Sequence, residues 1–192
     1  MPVRPGFADP VLGSQRTFRA VLDAMAHPGR VVIAETPPAP APLHPATAAA
    51  CLTLLDFDTP LWLDPVATTP DVVASLRLHC GVPLASAPDA ARFLVIAHAS
   101  RLPSLDVLDA GTDERPDLSA TVVVQVDALA GGVGRRLTGP GIEGSRRLEV
   151  SGAAGLWEAV RANAARFPRG VDVILCAGER LAALPRTTRL EG

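Results

Sequence analysis

Apolar residues along the chain fall into two kinds of run. Three are short, unbroken and largely β-branched: Phe93–Ala97, Thr121–Val126 and Val171–Cys176. A half-exposed strand alternates apolar with polar, so these read as strands buried on both faces, with Asp172 the exception in the last of them. The other kind recurs at helical spacing. Ser14–Met25 puts Phe18, Val21, Leu22 and Met25 on one stripe, Arg16, Arg19 and Asp23 largely off it, and His27, Pro28 and Gly29 end it. Pro45–Leu55 carries Ala, Cys and Leu around its whole circumference, which predicts a buried helix with Pro45 at its first position. Thr69, Pro70 and Asp71 open another helix, with Val72, Val73, Leu76 and Cys80 on the buried side. In Ala154–Phe167 the stripe of Leu156, Val160 and Phe167 also contains Asn163, a position suited to a buried hydrogen bond or to an interface.

Between these runs lie shorter elements. Arg30–Glu35, Leu61–Leu63 and Arg146–Val150 read as strands, Arg101–Ala110 as a short helix, Thr36–Pro45 as a proline-rich spacer and Gly111–Ser119 as a polar loop. After the turn at Gly178, Leu181–Leu184 is apolar again. Some connections between strands are too short for a helical crossover. The pattern predicts an α/β fold, a layered sandwich with a mixed β-sheet flanked by helices, forming a single domain over residues 1–192.

Composition narrows the function. The chain is 48% hydrophobic and 20% charged with a formal net charge of -2, so it is globular and nucleic acid is not an expected partner. Cys51, Cys80 and Cys176 each sit in an apolar run without CxxC spacing, which favours free thiols in a reducing compartment. The opening stretch MPVRPGFADP has no apolar leader and no run is long enough to span a bilayer, so a cytoplasmic protein without membrane contact is expected. All 18 basic residues are Arg. Pyridoxal phosphate chemistry and a Walker-type phosphate loop both require a lysine amine, and this chain has none; it has no Tyr either.

Two places could contact an anion. In Pro185-Arg186-Thr187-Thr188 a guanidinium stands beside two hydroxyls just past a proline, which reads first as a solvated strand end and second as a phosphate contact. The run Gly131–Ile142 offers Arg136, Thr138, Gly139 and Gly141 as a phosphate nest, or else is a hairpin or bulge; Pro140 and Glu143 fit a turn between strands better than a G-x-G-x-x-G helix opening. Asp56 and Asp58 form a D-x-D pair that reads as a turn before it reads as a cation site. His79 beside Cys80 lacks further ligands nearby, and His98 at a strand end lacks a nucleophile motif, so no metal and no catalytic residue is assigned.

Six segments in order, DAMAHPG (23–29), LTLLDFDTPLWL (52–63), LRLHCGVPL (76–84), RLTGPGI (136–142), FPRGVDVIL (167–175) and GERLAALPRTT (178–188), together resemble the PhnH family of the bacterial carbon-phosphorus lyase system. The resemblance covers most of the chain and leaves out 36–44, 101–117 and 143–166. It implies a homodimer whose topology is similar to pyridoxal-phosphate transferases without the cofactor site, in agreement with the missing lysine. It also implies partnership with the G, I and J subunits in a core complex for phosphonate catabolism. That complex transfers the ribose triphosphate of ATP to an alkylphosphonate with release of adenine, and the J subunit then cleaves the carbon-phosphorus bond by radical chemistry. The cysteine cluster such a radical site needs is missing from this sequence, so the chain is expected to be a structural or accessory component. The alternatives are a component that lends an anion site to the complex and a stand-alone α/β enzyme acting on a phosphorylated substrate.

Overall fold

The structure is a computed structural model that describes residues 5–191, so the first four residues of the N-terminal stretch lie outside the described residues. In chain order the elements are α1 (Pro10–Ala26), β1 (Val32–Ile33), α2 (Pro45–Leu54), β2 (Leu61–Leu63), α3 (Pro70–Cys80), β3 (Phe93–Ile96), β4 (Thr121–Gln125), β5 (Ala128–Thr138), β6 (Arg146–Ser151), α4 (Leu156–Ala164), β7 (Asp172–Ala177), β8 (Arg180–Leu184) and β9 (Arg189–Glu191). Six strands form one sheet in the order β1-β8-β7-β4-β3-β2, and three form a second in the order β6-β5-β9. Strands β2, β3, β4 and β7 run parallel, while β8 folds back antiparallel on β7 and β1 antiparallel on β8. The mixed sheet expected from the sequence is therefore present.

The unbroken apolar runs are explained by what covers each face. Val95, Val123, Ile174, Leu181 and Ala183 face a layer formed by α1, α2 and α3. Their neighbours Leu94, Val122, Val173, Leu175 and Leu184 face the opposite way, onto Leu137 and Leu148 of the small sheet and Leu156 and Val160 of α4. Period-two alternation thus survives as an alternation between two cores.

Helix starts follow local chemistry. The Asp9 carboxylate accepts from the Val11 and Leu12 N–H groups at 3.0 Å each, and Thr69 accepts from Val72 N at 3.2 Å at the start of α3, which Gly81 ends in the left-handed conformation at φ 66°.

Several expectations are corrected. Helix α1 starts four residues earlier than its periodicity predicts, and its buried residues are Gly13, Thr17, Val21 and Ala24, while Phe18 and Leu22 are 46% and 50% exposed. α1 packs against α2, whose Ala46, Ala49 and Ala50 are fully buried, and only small side chains fit between helices that close. Arg101–Ala110 is not one helix: Pro103 separates two single 3-10 turns, Ala99–Arg101 and Leu105–Val107. Only Val32–Ile33 of the predicted first strand pairs, because β8 faces it only through Arg180 and Leu181. α4 stops at Ala164, which leaves Phe167 59% exposed rather than on the buried stripe. The D-x-D pair, by contrast, is the turn its sequence favours, since the Asp56 carboxylate accepts from the Asp58 N–H and the Thr59 hydroxyl. The polar exit after Leu184 contains β9, and the glycine run lies largely inside β5.

Candidate functional site

The two stretches proposed for anion contact, Gly131–Ile142 and Pro185–Thr188, are neighbours in space. β5 and β9 pair antiparallel with Thr138 opposite Arg189, Leu137 opposite Leu190 and Arg136 opposite Glu191. At the end of β5, Gly139 has φ 133° and lies so close to the chain beyond β8 that a Cβ there would meet the Thr187 carbonyl oxygen at 2.7 Å. Gly141, at φ 79°, lies against the exit of α1, where a Cβ would come within 2.0 Å of the Ala26 carbonyl oxygen. No side chain fits at either position.

The exit of α1 is itself pinned from three sides. His27 closes the helix through its own N–H to the Asp23 carbonyl, and its Nδ1 lies 3.0 Å from the Asp23 carboxylate. Arg30 reaches the same carboxylate at 2.9 Å. Gly29 N–H donates to the Ala183 carbonyl of β8 at 3.0 Å, and Arg146 Nη1 donates to the carbonyls of His27 at 2.8 Å and Pro28 at 3.1 Å.

Arg186 resolves the anomaly of Asp172. Its Nε and Nη2 donate to the two carboxylate oxygens of Asp172 at 3.2 and 2.7 Å, its backbone N–H donates to the same group at 2.9 Å, and its Nη1 donates to the Pro116 carbonyl. Side-chain exposure is 14% for Arg186 and 16% for Asp172, so this is a largely desolvated bidentate pair that ties β7, the chain after β8 and the 112–118 loop together. Arg136 pairs with Glu191 at 2.9 Å, with both side chains about half exposed. Thr187 is half-buried and shares with Met25, Phe167, Pro168 and Pro185 a shallow, mostly apolar pocket of about 400 Å³. Thr138 is half-buried, and Thr188 is buried with its hydroxyl unpartnered. The segments converge, but both guanidiniums are already matched to carboxylates.

Chemistry elsewhere is sparse. Asn163, flagged by its place on the α4 stripe, donates to the Val171 carbonyl at 2.8 Å and accepts from the Val171 N–H at 2.9 Å, which locks the helix to the start of β7. Burial pushes the Cys176 thiol up to about 12 and the Cys80 thiol to about 11, and raises that of Cys51 as well, so these thiols stay protonated and weakly nucleophilic. His98 sits at an exposed strand end with its Nδ1 2.9 Å from the Ser100 hydroxyl. Among the described residues no three His, Cys, Asp or Glu side chains are placed to share a metal ion, and no helix is long and apolar enough to cross a membrane.

Residues 5–191 match the family described as bacterial phosphonate metabolism protein (PhnH). The chain belongs to the PhnH family. It is 40% identical, over 96% of its length and 94% of the relative's, to the alpha-D-ribose 1-methylphosphonate 5-triphosphate synthase subunit PhnH of Rhizobium meliloti (strain 1021). It is 39% identical, over 92% of its length and 85% of the relative's, to the putative C-P lyase subunit protein HtxG of Stutzerimonas stutzeri. Of the segments that carry the PhnH resemblance, those at 23–29, 136–142, 167–175 and 178–188 all meet at the junction just described. Asp23, Arg30 and Arg146 complete it. Sequence reasoning did not single them out, because the one signal, an Asp and an Arg flanking His-Pro-Gly, is indistinguishable from a solvated helix end until Arg146 is seen to reach across.

Proposed function

We propose that this chain is an accessory subunit of a cytoplasmic carbon-phosphorus lyase system, working in phosphonate catabolism beside G, I and J subunits and building its assembly rather than performing its chemistry alone. The observation that carries this is the match along nearly the whole of both chains to a relative named as a subunit of the ribose 1-methylphosphonate 5-triphosphate synthase. The geometry of the junction agrees: Arg136 is matched to Glu191, and Arg186 has both edges of its guanidinium occupied. In the same reading, the layered α/β core keeps a topology similar to pyridoxal-phosphate transferases, and the lysine-free sequence supports a role without that cofactor. Self-association as a homodimer is supported by Val11, Phe18 and Leu22, which leave an exposed apolar stripe along α1.

The test is adenine release from ATP and methylphosphonate, followed by chromatography, with this chain alone, the partner subunits alone, and all together. Activity only in the full mixture supports the proposal. Turnover by the isolated chain would make it an enzyme in its own right, and full activity without it would leave it no part in that step. Sedimentation of the wild type and of Phe18→Ser reads the second half of the proposal, with a dimer expected for the first and a monomer for the second.

A second reading, that the junction lends the complex an anion contact through Arg136, Thr138, Gly139, Gly141, Arg186, Thr187 and Thr188, is favoured by their convergence and by the buried, unpartnered Thr188 hydroxyl. Arg186→Lys separates the two, since it keeps charge but loses the planar fork. Lower complex activity with an intact fold favours the anion contact, while loss of stability with normal activity per folded complex favours the accessory role.

A further inference from the structure

On the other side of the α1 exit turn lies a cavity of about 470 Å³ whose lining includes Arg30, Arg146, Arg147, Arg180, Gly131 and Gly132. Among the described residues no carboxylate lines it. Arg30 is paired with Asp23, but among the described residues no carboxylate stands within salt-bridge distance of Arg146, Arg147 or Arg180. Three uncompensated guanidiniums in one concavity repel one another, in a chain whose net charge is -2. An anion bound there would offset that repulsion.

The three side chains are also held in place. Arg146 donates to the His27 and Pro28 carbonyls, Arg147 to the Gly134 carbonyl at 3.1 Å and Arg180 to the Leu129 carbonyl at 3.4 Å. Each uses Nη1 alone, which leaves its Nε–Nη2 edge, the edge that matches two oxygens of a phosphate, without a partner among the described residues. The glycines add backbone access. Gly131 and Arg135 both stand opposite Leu148 of β6, so residues 132–134 form an excursion of β5 with no counterpart. A Cβ at Gly131 or Gly132 would meet nothing within 4 Å, so the main chain is open to a ligand there.

We infer that this cavity is a binding site for an oligophosphate, whether an inorganic phosphate chain or the phosphate tail of a nucleotide. The volume lies in the range of small-molecule sites, about 300–1,000 Å³, and three guanidiniums in one cavity suit a chain of phosphates better than a single one. The inference does not depend on the accessory role, because binding is read on this chain alone.

The test is isothermal titration calorimetry of the purified chain with sodium tripolyphosphate, ATP, inorganic phosphate and a glutamate peptide of the same charge as tripolyphosphate. Arg147→Gln combined with Arg180→Gln is the variant, and Arg77→Gln on the remote helix α3 the control; Arg146 is left intact because it holds the α1 exit. Tripolyphosphate is expected to bind one to one, and to bind the double variant about tenfold or more weakly while the control is unchanged. ATP binding at least as tightly as tripolyphosphate supports a nucleotide source, and tripolyphosphate binding better than ATP supports an inorganic one. Circular dichroism checks the fold of the double variant, and Arg180→Gln alone replaces it if that fold is lost. No binding at low salt, an equal loss in the control, inorganic phosphate as tight as tripolyphosphate, or a glutamate peptide as tight as tripolyphosphate would each overturn the inference, the last by making the surface a protein contact.

Discussion

The two faces of the six-stranded sheet are held by different means. On the helical face most contacts are small and apolar: Ala24, Ala46, Ala49, Cys51, Cys176 and Ala183 let α1 and α2 lie close to the sheet, and the core there depends chiefly on shape, with buried Gln125 the polar exception, bonded to the His44 N–H and to the Pro42 and Ala97 carbonyls. On the opposite face an apolar core of leucines and valines is closed at its rim by polar locks, the Asp172–Arg186 fork and the Asn163–Val171 pair. The first face should be most sensitive to added volume where those small residues meet. For the second, added volume at the rim matters less than loss of a partner.

Breaking that contrast begins with Asp172→Asn, which keeps size but strands the Arg186 guanidinium in a largely desolvated place. Urea denaturation should show a loss of about 3 kcal/mol. A loss no larger than that of an exposed substitution would show that the fork adds nothing. Next is Ala49→Leu, which forces three heavy atoms between α2 and its neighbours; about 2 kcal/mol is expected from the same measurement, and a neutral outcome would mean the helical layer can shift.

The smallest effect sharpens the comparison through pH. Raised thiol pKa values mean that the folded state keeps protons that the unfolded chain releases, so stability is full below pH 9, the ordinary thiol value, and falls as pH rises through about 12 for Cys176. With no Lys or Tyr in the chain, the cysteines are the only side chains that titrate across this window. Cys176→Ala should remove about 1 kcal/mol of the stability lost between pH 8 and pH 10, read from denaturation at each pH. An unchanged pH slope would place the alkaline sensitivity elsewhere.

What could be read from the sequence follows the same division. Runs buried on both faces announce β3, β4 and β7, since three or more consecutive apolar, largely β-branched residues leave no face for water. Asn163 on an apolar stripe likewise signals its buried bond. The stripe on α1 misleads, because hydrophobicity ranks Phe18 and Leu22 above Gly13 and Thr17 although close helix packing selects the small pair. Arg186 carries a fork suited to a phosphate oxygen pair, and only the fold shows that the pair it meets is the carboxylate of Asp172, 14 residues earlier. The junction as a whole is invisible in one dimension. It exists because β5 pairs with β9 across some fifty residues, and no local pattern encodes which distant strand will lie alongside.

Strand β8 has a consequence for how the chain is made. It pairs with β1, through Val32 and Leu181, and its Ala183 carbonyl also receives the Gly29 N–H at the α1 exit. Residues near the beginning are thus held by residues near 180, and β5 waits for β9 in the same way. A nascent chain halted on the ribosome before that point has its helices and parallel strands but leaves one edge of β7 and one edge of β5 open. Such edges are templates for pairing with other chains, so the growing polypeptide is most vulnerable to aggregation late in synthesis, until β8 and β9 close both sheets.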